Sequence, residues 1–186
     1  MVAEKNSSPS AAKLIVDQLA DCGIKLIVSL ADSRLVELQG RLLADKRFKN
    51  VLVAREEEGV GICAGAFFGG MGAAMVMCNA GFQAAVHGIA NLCQICRVPL
   101  FMVVSNRGTP GDPIFFQEYT GLLTVPIMDA MGISHYTVDT IDKIPLIADA
   151  FEYSQVMKRP VVVLLERDSL DRKTLAHYLM GPEERK

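Results

Sequence analysis

The sequence predicts an α/β fold: a three-layer sandwich in which about six parallel strands form a sheet covered by helices on both faces. Strand-length apolar runs alternate with helical segments from end to end. The runs are apolar at successive positions, which is typical of strands buried on both faces. No repeat or linker interrupts the pattern, so we expect residues 1–186 to form a single domain.

Helices are predicted where apolar residues recur at helical spacing between capping and breaking residues. Ser8-Pro9 is typical of a helix start, and Gly23 of the end of that helix. Asp32-Ser33 could cap the second helix. The predicted helices are Ala11–Asp21, a segment ending at Leu43, Glu56–Gly69, Phe82–Cys93, Leu122–Met131 and Ile141–Met157.

The predicted strands are the short apolar runs between these helices. They are Lys25–Leu30, Val51–Ala54, Ala73–Cys78, Leu100–Val104, His135–Val138 and Val161–Leu165. Residues Ser105 to Glu118 are expected to be a loop, because glycines and prolines break any regular element there.

The composition argues against several classes of function. Hydrophobic residues make up 51% of the chain and charged residues 22%, as in globular proteins. The net charge is −2 and no block of Lys or Arg stands out, which argues against binding to nucleic acid. The polar segment Met1–Ser10 lacks the apolar core of a secretory signal, so we expect a cytoplasmic protein.

Two motifs resemble binding patterns but do not fit them. Cys93-Gln94-Ile95-Cys96 is a CxxC pair without the two further ligands of a zinc site, so structural thiols are favoured and no metal site is expected. Gly59-Val60-Gly61-Ile62-Cys63-Ala64 matches a dinucleotide-binding pattern, yet its glycines follow three glutamates inside a predicted helix. We interpret these glycines as positions of close packing.

Four loops are predicted at the carboxyl edge of the sheet, where open parallel sheets bind ligands. They are Ala31–Ser33, Arg55–Glu58, Asn79–Phe82 and Ser105–Gly108. Glu56, Glu57 and Glu58 open a helix that is otherwise almost devoid of polar side chains, which predicts a helix buried all round. Burial would raise the pKa of a carboxylate there, which makes it a functional candidate, although acidic residues also complement a helix dipole.

The other loops carry further candidates. Backbone N–H groups of Asn79-Ala80-Gly81 could approach a ligand closely, although an ordinary turn has the same composition. Arg107 suits an anionic substrate, or else pairs with a nearby carboxylate. His87 follows the third loop and could face the site or the core. Asp32 on the first loop is also a candidate for contact with a substrate.

These residues together resemble a known family. Ala54-Arg55-Glu56 followed by Gly65, then Asn79-Ala80-Gly81-Phe82, then Arg107-Gly108-Thr109-Pro110-Gly111 resemble the pyrimidine-binding domain of sulfopyruvate and phosphonopyruvate decarboxylases. The similarity extends over nearly the whole chain and includes residues 121–133.

The resemblance implies an enzyme that uses thiamine diphosphate to decarboxylate a 2-oxoacid carrying a sulfonate or phosphonate group. It places the family's activating glutamate, which hydrogen-bonds the pyrimidine N1′ of the cofactor, at Glu56, or at Glu57 if the alignment shifts by one residue. The residues then expected to bind the cofactor are Glu56, Asn79, Ala80, Gly81 and Phe82, and those expected to contact the substrate are Asp32, His87 and Arg107.

The resemblance also implies a partner chain. The diphosphate-binding half of such enzymes carries a Gly-Asp-Gly motif that holds Mg²⁺, whereas this chain has only Gly111-Asp112-Pro113. A beta subunit carrying the diphosphate-binding domain would therefore supply most of the Mg²⁺ coordination sphere, and this chain would be the alpha subunit of a hetero-oligomer.

Two alternatives stay open at this point. Residues 79–84 read Asn-Ala-Gly-Phe-Gln-Ala where the family usually has Asn-Ser-Gly-Leu-Gly-Asn, and the departures lie where a substrate would be recognised. Phe82, Phe115 and Phe116 could line a pocket for an aromatic or branched 2-oxoacid in another thiamine-dependent decarboxylase or lyase. The chain could also be an α/β binding module that has kept the fold and lost catalysis.

Overall fold

The computed structural model describes residues 10–110, 112 and 114–166. Its strands are β1 Leu26–Ser29, β2 Lys49–Leu52, β3 Ala73–Cys78, β4 Phe101–Ser105, β5 Ser134–Val138 and β6 Val161–Leu165. They form one sheet in the order β2-β1-β3-β4-β6-β5, and every neighbouring pair is parallel. The predicted sheet of six parallel strands is confirmed.

Helices cover both faces of this sheet. They are α1 Ala11–Asp21, α2 Val36–Ala44, α3 Glu56–Phe68, α4 Asn79–Ala84, α5 Val86–Gly88, α6 Glu118–Ala130 and α7 Leu146–Met157, with a π-helical segment at Ile89–Gln94. α1, α2 and α7 pack on one face, and α3 to α6 pack on the other, as the three-layer prediction requires. Among the described residues, no helix is long and apolar enough to cross a membrane.

The central strands contribute side chains to two separate cores. Along β4, Phe101 and Val103 belong to the core beneath α1 and α7, and Met102 and Val104 belong to the core beneath α3 and α6. Because alternate side chains point to opposite faces, a strand covered on both sides must be apolar throughout. The Phe101 ring packs edge-on against Phe151 of α7, with ring centroids 5.3 Å apart.

The first helix has the predicted bounds, whereas the second begins later than predicted. Ser10 is the N-cap of α1, and its hydroxyl accepts a hydrogen bond from Lys13 N at 3.3 Å, while Ser8-Pro9 lies outside the described residues. α2 begins at Val36 because the Asp32 carboxylate is engaged in a local bend and in contacts with other loops, so it does not cap the helix.

Several other boundaries also differ. β2 lies two residues earlier than predicted, α6 begins at Glu118 instead of Leu122, and α7 begins at Leu146 instead of Ile141.

The single helix predicted for Phe82–Cys93 begins at Asn79, in the segment predicted as a loop, and is divided into α4, α5 and the π-helical segment. π-Helical turns are rare and occur frequently near functional sites.

The prediction that α3 is buried all round is wrong. Its buried residues are Gly59, Val60, Cys63 and Ala64. Gly61, Gly65 and Phe68 are exposed, because a helix in an outer layer contacts the sheet on one side only. Close packing holds at Gly59, where a Cβ would lie 2.7 Å from Met75 Cε, but Gly61 has open space around it.

Truncation of Phe101 tests the packing of the first core. Phe101→Ala should lower the free energy of unfolding by about 3–5 kcal/mol, because it leaves a cavity beside Phe151. Urea unfolding of the isolated chain measures the change. Phe68→Ala is the matched control, since Phe68 is 64% exposed, and its effect should stay within about 0.5 kcal/mol. Equal effects of the two substitutions would contradict the packing described.

Candidate active site

The sheet has a crevice where its connections change direction. From β1 the chain crosses through α2 to the outer strand β2, whereas from β3 it crosses in the opposite direction to β4. The loops that follow β1 and β3 therefore diverge at the carboxyl edge, and open α/β sheets bind ligands at such a point. Asp32 lies on the first loop, and Asn79 begins the helix after the second.

The three glutamates at the start of α3 have different surroundings. Glu58 Oε2 accepts hydrogen bonds from the backbone N of Ala54 and of Arg55, both at 3.3 Å, and so caps the helix. Glu57 packs against Gly88, where a Cβ would lie 3.1 Å from Glu57 Cγ. Glu56 is half-buried, so only part of the burial expected for it is present in this chain alone.

Gly81 provides the space that Glu56 occupies. A Cβ at Gly81 would lie 2.3 Å from Glu56 Oε1, a distance that no side chain could tolerate without displacing the carboxylate. Of the three glutamates, Glu56 is therefore the one held against the first turn of α4, which follows β3 directly. The structure brings together Glu56 and Gly81, two of the five residues expected to bind the cofactor, from segments that the sequence predicts as separate loops.

Asn79 is wholly buried beside this loop. Its side-chain N donates hydrogen bonds to Arg107 O at 2.9 Å, Thr124 Oγ1 at 3.0 Å and Asn106 Oδ1 at 3.2 Å. The arrangement fixes the orientation of the carboxamide, because a carboxamide oxygen could not bond the Arg107 carbonyl. Asn79 Oδ1 is buried and has no hydrogen-bond partner in the structure. A ligand N–H would satisfy it.

The remaining residues of this loop have different positions. Phe82 is wholly buried in the core beneath α3, and Ala80 is partly exposed. The backbone N–H groups of Ala80 and Gly81 are directed to the Cys78 thiol. The sequence analysis missed Cys78, although the last residue of a strand at this edge is a natural position for a site residue.

Cys78, the last residue of β3, is partly buried. Burial is the main cause that raises the pKa of its thiol. The negative charges of Asp32 and Glu56 raise this pKa further, whereas hydrogen bonds from the backbone N–H groups of Gly81 and Ala80 lower it.

Arg107 belongs to a buried cluster of charges. Its Nε donates to Asp112 Oδ2 at 2.9 Å and its Nη1 lies 3.5 Å from Asp32 Oδ1, while Nη2 is buried without a partner. Arg34 Nη2 also donates to Asp112 Oδ2, at 2.9 Å. Burial acts to raise the pKa of Asp112, but hydrogen bonds from Arg107 and Gly108 N and the charge of Arg34 bring it below its usual value.

The sequence analysis also missed Arg34 and Asp112 as members of the site. No local signal could have paired them, because they are 78 residues apart. The pairing of Arg107 with a carboxylate was one of the alternatives left open, and the structure realises it in the interior rather than on the surface. Whether Arg107 also contacts substrate stays a prediction.

His87 faces neither the core nor the buried cluster. It is exposed on α5, and both ring nitrogens lie within hydrogen-bonding distance of Asn91 Nδ2, at 3.1 and 3.2 Å. The next residue, Gly88, contacts Glu57, so His87 borders the outer side of α3.

The cysteine pair of the CxxC motif is split between core and surface. Cys93 is buried and Cys96 is exposed. Burial raises the pKa of Cys93 and of Cys63 to about 12, which leaves both as neutral thiols. Within the described ranges, no group of three His, Cys, Asp or Glu residues could hold a metal ion.

Comparison with known proteins identifies the family. Residues 9–127 match the family described as "Thiamine pyrophosphate enzyme, N-terminal TPP binding domain". The protein named sulfopyruvate decarboxylase subunit alpha of Methanococcus maripaludis is 30% identical over 158 residues, which are 84% of this chain and 95% of the relative. The chain belongs to the family of sulfopyruvate decarboxylase alpha subunits. A second such subunit, from Methanocaldococcus jannaschii, is 31% identical over 153 residues, 82% of this chain and 90% of the relative.

A longer relative shows a different organisation in this decarboxylase family. The protein named sulfopyruvate decarboxylase of Methanosarcina acetivorans is 29% identical over 155 residues, which are 81% of this chain but 38% of the relative. The counterpart of the alpha subunit thus forms a little over a third of one polypeptide there.

The residues at the crevice fit thiamine pyrophosphate, the cofactor of this decarboxylase family. Glu56 is half-buried and offers an acceptor for an N–H group of a heteroaromatic ring, while Asn79 Oδ1 is a buried acceptor without a hydrogen-bond partner. Gly81, which lacks a side chain, leaves room beside the Glu56 carboxylate. Which of these groups contacts the cofactor stays a prediction.

Gly81→Ala tests the contact between the two loops. The added Cβ should displace the Glu56 carboxylate and weaken thiamine pyrophosphate binding by about tenfold or more, roughly 1.4 kcal/mol. Calorimetric titration of this chain, purified with its partner chain, measures the affinity. Gly40→Ala is the control, because a Cβ at Gly40 meets no atom within 4 Å. Unchanged affinity in a folded Gly81→Ala protein would show that Glu56 is not held by this contact.

Proposed function

We propose that this chain is the alpha subunit of a thiamine-pyrophosphate-dependent decarboxylase that converts 3-sulfopyruvate to the aldehyde and CO₂, with 3-phosphonopyruvate as the other candidate substrate. The observation that carries the proposal is the Glu56 carboxylate held against Gly81 at the crevice. The chain aligns with 95% of the length of a relative named as such a subunit, at 30% identity. The protein named phosphonopyruvate decarboxylase of Streptomyces viridochromogenes is 24% identical over 132 residues.

The chain's own residues have separate roles in this proposal. Thiamine pyrophosphate, when bound, supplies the electron sink that accepts the electron pair released with CO₂. Glu56 would share one proton with a ring nitrogen of the pyrimidine: its protonated carboxyl would donate to that nitrogen, and its carboxylate would accept from the resulting N–H. Gly81, which has no side chain, would let the ring approach the Glu56 carboxylate, and Asn79 Oδ1 is a second, buried acceptor. Asp32 and Arg107 lie on the substrate side.

Glu56 is a better candidate than Glu57 for this role. Glu57 packs beside Gly88 on α5, whereas Glu56 lies against Gly81 in the first turn of α4, directly after β3. A carboxylate must be within hydrogen-bonding reach of its partner to act on it, so position decides between two residues of equal chemistry.

A beta subunit with the diphosphate-binding domain completes the site in this proposal, and Mg²⁺ binds mainly to that subunit. The sequence of this chain contains no Gly-Asp-Gly motif, and the longer relative has room for a second domain in one polypeptide. Exposed apolar side chains on the α3 and α6 side of the sheet also favour a partner. They include Phe68, Phe115, Phe116, Tyr119 and Leu122.

The aromatic 2-oxoacid alternative is less favoured. Phe82 is wholly buried in the core, whereas Phe115 and Phe116 are 87% and 66% exposed. These phenylalanines therefore do not form a common lining in this chain. The buried guanidinium of Arg107, by contrast, favours an anionic substrate.

Release of CO₂ tests the proposed function. We expect release from sulfopyruvate only when this chain, its partner chain, thiamine pyrophosphate and Mg²⁺ are all present, since neither chain alone holds the whole cofactor. Phosphonopyruvate and an aromatic 2-oxoacid, assayed in parallel, rank the substrates. Binding of the cofactor without release from any of them would refute the substrate assignment, and no binding would favour a non-catalytic module.

Substitution of the glutamates tests which of them activates the cofactor. Glu56→Gln should lower kcat by about 100-fold or more, because the amide cannot take up a proton, while leaving the unfolding temperature unchanged. Glu57→Gln is the isosteric comparison and should lower kcat by less than about threefold. A larger loss at Glu57 than at Glu56 would transfer the role to Glu57.

A further inference from the structure

We propose that Arg34 and Asp112 are positioning residues that hold Asp32 and Arg107 in the orientation required to bind the substrate. The inference rests on the proposed function, since it assigns this cluster to the substrate side of the crevice. Neither Arg34 nor Asp112 is among the residues expected to touch the cofactor or the substrate.

Asp112 is the centre of the cluster. Its Oδ2 accepts hydrogen bonds from Arg34 Nη2 and Arg107 Nε, both at 2.9 Å, and from Gly108 N at 3.1 Å. Its Oδ1 accepts from Ile114 N at 3.2 Å. The side chain is 2% exposed. One carboxylate therefore fixes both arginines and the backbone of the loop after β4.

Arg34 connects this loop to the loop after β1. Besides its bond to Asp112, its Nη1 donates to Asn106 O at 2.8 Å. Its backbone N donates to Asp32 Oδ1 at 3.2 Å. A guanidinium can make these bonds in two directions because its donors have a fixed planar geometry, which an ammonium lacks.

Asp32 receives its orientation from the same residues. Ser105 Oγ donates to Asp32 Oδ2, and Arg107 Nη1 lies 3.5 Å from Asp32 Oδ1. Together with Arg34 N, these donors come from the loop after β1, from the end of β4 and from the loop after β4, so the Asp32 carboxylate can keep this orientation only while the two loops keep their relative position. The Arg34 side chain and Asp112 hold the two loops in that position.

The cluster has features that a purely structural contact would not need. Apolar side chains of similar volume often stabilise a protein as well as a buried ion pair does, so stability alone gives little reason to bury two arginines. Their burial favours a role in orienting Asp32 and the loop after β4. Arg107 Nη2, on the side chain expected to contact the substrate, is buried without a hydrogen-bond partner. Unpaired buried donors destabilise a protein, which is tolerated where a bound ligand or water can satisfy them.

The same cluster is joined to the cofactor side through Asn79. The Asn79 side chain donates to Arg107 O and to Asn106 Oδ1. Asn106 Nδ2 donates in turn to Glu166 Oε1 at 2.6 Å, at the end of β6. Arg34, Asn79 and Glu166 therefore hold the loop after β4 from three directions. None of these hydrogen bonds involves Glu56.

Asp112→Asn in the two-chain complex tests the proposal. The amide keeps the shape of the carboxylate but loses its charge, so the two arginines should shift and Asp32 should lose its fixed orientation. We expect the KM for the substrate to rise by about tenfold or more, with kcat reduced by less than about threefold. The Kd of thiamine pyrophosphate, measured by calorimetry, should stay within about twofold, because Glu56 lies outside the cluster and Asn79 is held by Asn106, Thr124 and the main chain of Arg107 rather than by Asp112.

Substitutions of Arg34 give the second measurement. Arg34→Lys keeps the charge opposite Asp112 and should restore part of the substrate affinity that Arg34→Met loses. Arg41→Met is the matched control, since Arg41 forms an exposed ion pair with Glu37 on α2, and its KM should be unchanged. The proposal would be overturned if the Asp112→Asn and Arg34→Met complexes fold and keep the wild-type KM. A lower unfolding temperature alone would show that the cluster only stabilises the fold.

Hydrogen exchange separates this proposal from the proposed function. If the wild-type complex releases no CO₂ from any 2-oxoacid, the proposed function fails, but the positioning of the loop after β1 can still be measured. Asp112→Asn should then accelerate amide exchange at Arg34, whose N–H is bonded to Asp32. Wild-type exchange at Arg34 in that variant would overturn the proposal.

Discussion

A parallel sheet that is buried on both faces needs helices on both faces, and this requirement determines where the site lies. The crossovers after β1 and β3 run in opposite directions, so their loops separate at the carboxyl edge. Asp32, Glu56 and Asn79 follow the ends of three successive strands, β1, β2 and β3, and all three therefore lie at this edge. The chemistry of the site is thus a consequence of how the core is covered.

Buried charge is the second feature on which the site depends. Moving an ion from water into a protein interior destabilises the fold by on the order of several kcal/mol unless partners compensate it. Arg34 and Arg107 are compensated by Asp112 and Asp32, and the side chains of all four are less than a tenth exposed. Such a cluster permits few alternative geometries, because any displacement leaves a charge without its partner.

The sequence predicted the sheet correctly because apolar runs of strand length are a direct result of burial on two faces. Glu56 could be singled out because it follows a strand and opens a nonpolar helix. The Arg34–Asp112 pair could not be found, since long-range ion pairs leave no local pattern. The exposed side of α3 was mispredicted because nonpolar composition does not show whether a helix is covered by its own chain. Asp32 was predicted to cap α2 because the sequence does not show its contacts with other loops.

The position of β6 has a consequence for synthesis of the protein. Of the strands in the described residues, β6 comes last in sequence but lies between β4 and β5, whose facing edges both pair with it. The sheet cannot close until residue 165 has left the ribosome, and until then β4 presents an unpaired apolar edge. The nascent chain therefore passes through a stage in which the centre of its sheet is open to association with other chains, and chaperone binding would matter most at that stage.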